Sequence, residues 1–260
     1  MNHIIDSLNT RSSTRTFVPD SVSTDEREAI LHSTMRAPTG GNMMLYSIID
    51  VDDPVLKARL AITCDDQPFI ATAPLVLVFV ADFQKWVDLF AVADVDRVEG
   101  VEHRMTPGPG DLMLACSDAL IAAQNAVVAA ESLGIGSCYI GDILENGEEH
   151  AELLNLPAHT FPVGMLVLGR PAKERPPTPH YTGNMVHRNG YHRLDEAERM
   201  VAMEELAAMH HPHGFKPGIE NAAQAVYARK YTTDFMREMN RSVAWWLERW
   251  ETPENAGENA

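Results

Sequence analysis

Cysteine is scarce in this 260-residue chain: Cys64, Cys116 and Cys138 stand far apart, with no CxxC pair. A sparse, odd set excludes a disulfide framework and a structural zinc site, and it fits reduced thiols in the cytoplasm. Positive charge is also short, with 21 Lys and Arg against 37 Asp and Glu, a net charge of −16. That field repels polyanions, so neither nucleic acid nor anionic membrane is expected as a partner. It also makes any local knot of arginines informative. Unbroken apolar runs are missing. The most apolar region, Leu112 to Leu133, is interrupted by Ser117, Asp118, Gln124, Asn125, Glu131 and Ser132, so no membrane span is expected. The first residues, Met1-Asn2-His3-Ile4-Ile5-Asp6, have no basic flank, and no signal peptide is expected. Gly134-Ile135-Gly136 supplies only half of a GxGxxG fingerprint and follows a helix, which excludes a Rossmann reading. No GxSxG nucleophile elbow occurs.

What is present is ordinary globular composition, 45% hydrophobic and 22% charged, on a chain long enough for one sizeable core. His3 to Leu8 reads as a short helix. Ser23 or Thr24 caps a second one, which runs to about Arg36 and stops at Pro38. Thr39-Gly40-Gly41-Asn42 is a loop. Strands are expected over 46–51, 74–81, within 134–141, and over 161–168. Pro74 to Ala81 is continuous and β-branched, as a buried central strand is. Helices are expected over 54–63, 82–89, 111–133, 146–153, 195–210 and 221–250. Residues 91–109 form a charged excursion, 173–184 a proline-rich loop and 251–260 a disordered tail. The class is therefore α+β with one central sheet flanked by helices. Residues 1–194 form the main domain, with 195–250 as a C-terminal helical arm. Helix 111–133 is apolar on every face. Such a helix is buried on every face, which implies a second subunit.

Arg11-Ser12-Ser13-Thr14-Arg15 puts two guanidinium forks and three hydroxyls into five residues, a donor set that suits a phosphate monoester. On composition alone, a solvated polar linker is the better reading. His210-His211-Pro212-His213 has no partnering acid or cysteine and reads as a solvated loop rather than a metal patch. Trp245, Trp246 and Trp250 have helical spacing and read as packing residues, with a dimer interface as one place for them. Lys216, Arg229, Lys230, Arg237 and Arg241 read as a solvated face, with contacts to NADPH phosphates as the alternative.

Four segments in order resemble the nitroreductase/flavin reductase superfamily. Its opening Arg-x-Ser-x-Arg segment followed by Phe is matched by Arg11, Ser13, Arg15 and Phe17. Its A-P-S-x-x-N loop is matched by Ala37-Pro38-Thr39-Gly40-Gly41-Asn42. Its E-S-L-G-x-G-x-x-Y-I-G is matched by Glu131 through Gly141, and its L-G-x-P by Leu168-Gly169-Arg170-Pro171. The group it resembles contains the NADPH-preferring, oxygen-insensitive nitroreductases and flavin reductases with a C-terminal helical arm. The resemblance implies a homodimer with FMN at the subunit interface. Arg11, Ser12, Ser13, Thr14 and Arg15 would hold the FMN phosphate. Thr39, Gly40 and Asn42 would line the flavin edge. Gln67 would hydrogen-bond the pyrimidine or ribityl region, although read alone it is an exposed loop glutamine. Tyr139, Ile140, Gly141 and Asp142 would lie against the isoalloxazine, with backbone N–H groups near N5 and O4. Arg175, Thr178 and His180 occupy the region where family members carry Lys-Pro-Arg.

The implied activity is ping-pong hydride transfer from NADH or NADPH to a nitroaromatic, a quinone or a free flavin. FMN N5 carries the chemistry, and no side chain is required as an acid or base. Two other readings stand beside it: a specialised flavoenzyme with another acceptor, and a non-catalytic flavin-binding or storage protein. A metal-dependent hydrolase lacks ligands. Three positions depart from the family: Met44 where Gln is usual, Asp142 where close relatives have Gly, and Thr178 and His180 at the cationic positions. The last departure leaves Arg11 and Arg15 to carry most of the phosphate charge.

Overall fold

A computed structural model describes residues 2–20, 22–100, 106–173 and 176–252. The chain divides into two compact units. One comprises residues up to Pro176 and from Glu238 onward; the other is Pro177–Arg237.

In the first unit the elements follow local signals closely. Helix α1 (His3–Thr10) is capped by Asn2, whose Oδ1 accepts from Ile4 N at 2.9 Å. Helix α2 (Thr24–Thr34) opens on a capping box in which Ser23 Oγ accepts from Glu26 N and Glu26 accepts from Ser23 N. Glu26 also receives Arg170, and hydrogen bonds from Arg170 and Ser23 hold its carboxyl down to about 2. Asp53 caps helix α3 (Pro54–Thr63), and Pro54 sits in its first turn, where no amide donor is needed. Helix α4 is Gln84–Val92. Helix α5 (Pro109–Ser132) ends at Gly134, whose φ of 72° provides the left-handed turn that Ile135 N closes onto Ala130 O at 2.9 Å. That helix stop is what Gly134-Ile135-Gly136 encodes. Helix α6 is Gly147–Leu153.

Four strands make one antiparallel sheet in the order β1 (Tyr46–Asp50), β2 (Leu75–Asp82), β4 (Thr160–Gly169), β3 (Gly136–Ile140). The two inner strands are buried on both faces, so their sequences are continuously apolar instead of alternating. Val76, Val78, Val80, Met165 and Val167 point to one core, together with Leu60, Ile70, Trp246 and Trp250. Leu75, Leu77, Phe79, Leu166 and Leu168 point to the other, against Ile30 of α2 and Ala119, Ala122, Ala123 and Ala126 of α5.

Small residues thus face the sheet from α5 and let the helix lie close. Its larger apolar residues point the other way. Met113, Leu114, Leu120 and Ile121 are exposed, 65% in the case of Met113. The helix expected to be buried all round is buried on one face by its own chain. Helix α1 packs on α5 and leaves Ile4, Ile5 and Leu8 exposed as well. By length and composition α5 could cross a membrane, but its alanine face lies in the core.

Helix α7 (Glu196–His210) and the short α8 (Ala222–Val226) belong to the second unit. The helix expected over 221–250 is not continuous. A π-turn at Tyr227–Tyr231 and bends at Thr232 and Thr233 separate α8 from α9 (Asp234–Glu251). Thr232 Oγ1 donates to Ala228 O and Thr233 Oγ1 to Lys230 O, so hydroxyls compete with the helix ladder there. The later part of α9 belongs to the first unit. Trp246 meets the Phe161 ring edge-on at 5.8 Å, and Trp250 donates to Gly108 O. The tryptophans are packing residues of their own chain. Truncating such a side chain costs roughly 3–5 kcal/mol. The tail expected to be disordered lies, beyond Thr252, outside the described residues.

Candidate functional site

The Arg11–Arg15 segment is not a free linker. Arg11 caps α1 through its amide, which donates to Ser7 O at 3.0 Å. The chain then runs extended along β3. Ser13 pairs with Ser137 as a parallel bridge, and Thr14 N donates to Ser137 O at 2.9 Å. Phe17 pairs with Pro171. Two glycines make this possible. Gly136 and Gly169 face each other across β3 and β4. A Cβ on Gly136 would fall on Thr14 Oγ1, and one on Gly169 would lie 2.8 Å from the Phe17 ring. Their missing side chains open the groove that residues 13–17 fill.

Charge gathers in that groove. Burial pushes the Cys138 thiol up, while Arg15, a hydrogen bond with Ser13 and Arg11 all pull it down, so these three groups surround the sulfur. Burial also raises Glu131, and raises Tyr139 to about 12, in both cases against Arg11. Arg11 Nη1 is buried and has no hydrogen-bond partner among the described residues. A buried guanidinium donor without an acceptor is costly, and a bound anion would relieve it. The donor chemistry therefore fits a phosphate group.

Strand β3 runs from this groove to the residues expected beneath the flavin ring. Tyr139 lies on the open face, with its hydroxyl 3.4 Å from Gln124 Oε1. Ile140 points into the core. Gly141 and Asp142 begin a 3-10 turn, Gly141–Leu144. A Cβ on Gly141 would meet nothing within 4 Å among the described residues, and the residue is exposed. The turn holding Gln67 is a neighbour: Asp65 acts electrostatically on Glu145, which follows Leu144. Gln67 Nε2 donates to Cys64 O at 2.8 Å, which occupies one amide donor on the chain's own backbone.

Thr39, Gly40 and Asn42 are organised separately, by a residue that the motif did not include. Asp118 is a buried acid on α5. It accepts from Thr39 Oγ1, from Gly40 N at 3.0 Å and from Leu45 N at 3.2 Å. Thr39 Oγ1 in turn accepts from Met44 N at 2.8 Å. Gly41 and Asn42 are both left-handed, with φ of 58° and 57°. An acid in the middle of an alanine-rich helix is the sequence signal for this clamp; it reads as an interruption until the loop is seen beside it.

Thr178 and His180 lie in the second unit, where they line a hollow with Tyr181, Met185 and His210. Arg175 lies outside the described residues. Among the described residues, no group of three or more His, Cys, Asp or Glu side chains could hold a metal ion. Of the arm cations, Arg241 is gripped by Glu148 and Glu238, and Arg237 pairs with Asp234.

Residues 8–170 match the nitroreductase family. The chain belongs to that family. Among its relatives is the FMN reductase (NAD(P)H) of Bacillus subtilis, 32% identical over 197 residues, covering 75% of this chain and 77% of the relative. The oxygen-insensitive NADPH nitroreductase of Salmonella typhimurium is 33% identical over 208 residues, covering 80% and 82%. Among solved structures, NfrA2 of B. megaterium superposes with a TM-score of 0.78 at 28% identity, covering 93% of this chain and 98% of that one. The family's α+β fold, with its antiparallel sheet and helical flanks, is the fold described above.

Proposed function

We propose that this protein is an FMN-dependent NAD(P)H oxidoreductase that reduces flavins, nitroaromatics or quinones. The names of its relatives support the reaction class. The observation that carries the reading is Arg11 Nη1, a buried donor with no acceptor among the described residues, on a segment that also carries Arg15 and three hydroxyls and pairs with β3 at Ser13. Arg11 and Arg15 would supply charge to the FMN phosphate, with Ser12, Ser13 and Thr14 supplying short donors. Thr39, Gly40 and Asn42 would line the flavin edge, held in place by Asp118. The open surface at Gly141 would admit the ring, with the amides of Tyr139 to Asp142 toward its electron-accepting edge. Gln67 would complete the set from the turn after α3. When bound, FMN supplies two-electron transfer in two half-reactions, first from NAD(P)H and then to the acceptor. The chain's own part is to bind, orient and exclude water.

The unit that performs this is a homodimer. The exposed apolar faces of α5 and α1 are the surface for the second copy. A cytoplasmic location suits the three free cysteines.

Anaerobic mixing of the FMN-loaded protein with NADPH tests the enzyme reading: bleaching of the flavin absorbance is expected. Absence of bleaching, with FMN bound, would favour a flavin-storage protein. The clamp is tested by Arg11→Ala. FMN affinity should fall roughly 10- to 100-fold while affinity for riboflavin, which lacks the phosphate, is unchanged. Near-normal FMN affinity in that variant refutes the clamp.

A further inference from the structure

Glu145 closes the Gly141–Leu144 turn, with its amide donating to Asp142 O at 3.1 Å. The residue is 6% exposed, and Oε1 has no hydrogen-bond partner among the described residues. The charges acting on it are all acidic: Asp142 on its own turn, Asp65 from the turn after α3 and Glu238 from α9. The cations on the packed elements are engaged elsewhere. Arg241 of α9 is held by Glu148 and Glu238, and Arg59 of α3 by Glu149. His150 of α6 is buried between Ile143 O and Thr63 Oγ1, and burial pushes its ring toward the neutral form. The thiol of Cys64 is likewise pushed up by burial and by Asp142 and Glu145, so it stays neutral.

The same turn is where α9 is fastened. Ser242 Oγ donates to Leu144 O at 2.6 Å and accepts from Gly147 N at 2.9 Å. Asn146 N donates to Glu238 at 3.1 Å. Gly147 allows this approach, since a Cβ there would lie 2.8 Å from Ser242 Oγ. A buried carboxyl with one oxygen unpartnered among the described residues thus sits at a junction of three elements, each of which brings it an acid.

We propose that Glu145 is a proton-linked positioning residue: neutral, it lets α9 and the Asp65 turn close on the Gly141–Leu144 turn, and ionised, it drives them apart. The effect on the ligand rests on the reading that this turn lies against the flavin. The direction follows from the chemistry. Burial, then the surrounding acids, push the Glu145 carboxyl up to about 7. A group raised in the folded state binds its proton more tightly there. Its stabilisation is full below the ordinary carboxyl value of 4.5 and is lost as pH rises through about 7.

The test compares wild type, Glu145→Gln and Glu238→Gln. Each is measured without FMN by thermal melting and with FMN by fluorescence titration, from about pH 5 to about pH 8. Wild type should lose about 5 °C of melting temperature and about tenfold in FMN affinity over that range. Glu145→Gln, neutral at every pH, should flatten both profiles and hold the acidic values at alkaline pH. Glu238→Gln keeps an acceptor for Asn146 and removes one repulsive charge, so both breaks should move to lower pH. Melting profiles that coincide for all three proteins overturn the proposal, as does a Glu145→Gln titration that keeps the wild-type slope. If Glu145→Gln does not fold, the Glu238→Gln shift decides alone. Failure of every protein to bind FMN would defeat the flavin reading, and the FMN-free melts would still decide the role of Glu145.

Discussion

Gly136 should be the most sensitive backbone position in the phosphate groove. Consider Gly136→Ala. The new Cβ falls on Thr14 Oγ1 and lies 3.0 Å from Thr14 Cβ and 3.4 Å from its Cγ2. Thr14 cannot swing aside freely, because it is buried and its amide is tied to Ser137 O at 2.9 Å. Overpacking of this kind costs about 1–3 kcal/mol. That is a small part of a domain's usual stability of about 5–15 kcal/mol, so the variant should fold. The cheapest relief is for residues 13–15 to lift off β3, where one bridge and one amide bond hold Ser13 and Thr14, while Thr16 to Val18 stay tied to residues 170–172. Lifting moves Arg11 and Arg15 away from the phosphate. Two charge-assisted contacts at about 1.5–3 kcal/mol each predict a loss of about two to four orders of magnitude in FMN affinity. Fluorescence titration with FMN and with riboflavin separates the effects, because only the FMN affinity should fall. Adding Thr14→Ala removes Oγ1 and Cγ2 from the clash and should restore much of the FMN affinity in a double-mutant cycle. Gly136→Ala protein that binds FMN like wild type would refute the groove argument.

Asp118→Ala strips the acceptor from Thr39 Oγ1, Gly40 N and Leu45 N together; urea unfolding should show a loss of about 2–5 kcal/mol, and hydrogen exchange at the Gly40 and Leu45 amides should quicken. Unchanged exchange would mean that the loop is held by something else. Leu114→Arg places a charge on the exposed face of α5 and should yield monomers by analytical ultracentrifugation with the helical circular-dichroism signal retained. A dimer that survives this change would place the interface on another face.

The sequence reveals what local chemistry controls. Asp53 followed by Pro54 fixes the start of α3, the Ser23–Glu26 pair fixes the start of α2, and the β-branched run to Ala81 identifies an inner strand. Contacts between distant segments are another matter. Helix α5 reads as apolar all round because alanine and leucine are both apolar, and only packing sorts the alanines toward the sheet and Met113 and Leu114 outward. Asp118 is legible as an odd residue but not as the clamp of a loop 79 positions away. Gly136 carries no signal of its own role, since its reason for lacking a side chain is Thr14, more than 100 residues earlier. The break at Thr232 and Thr233 is a contest between hydroxyls and the helix ladder that composition alone does not decide.

A net charge of −16 works against a phosphate ligand, so the form of the clamp matters. Long-range repulsion is screened beyond about 8 Å at physiological salt, whereas contacts made inside a groove are screened far less. An acidic protein can therefore hold a dianion only with donors that are close and partly dried. Arg11 meets that condition, with a buried Nη1 set among Glu131, Cys138 and Tyr139. On the proposed clamp the burden would fall on Arg11 and Arg15, and their placement on the groove that Gly136 and Gly169 leave open. The affinity for FMN would then be set less by the number of cations in the chain than by two absent side chains on β3 and β4.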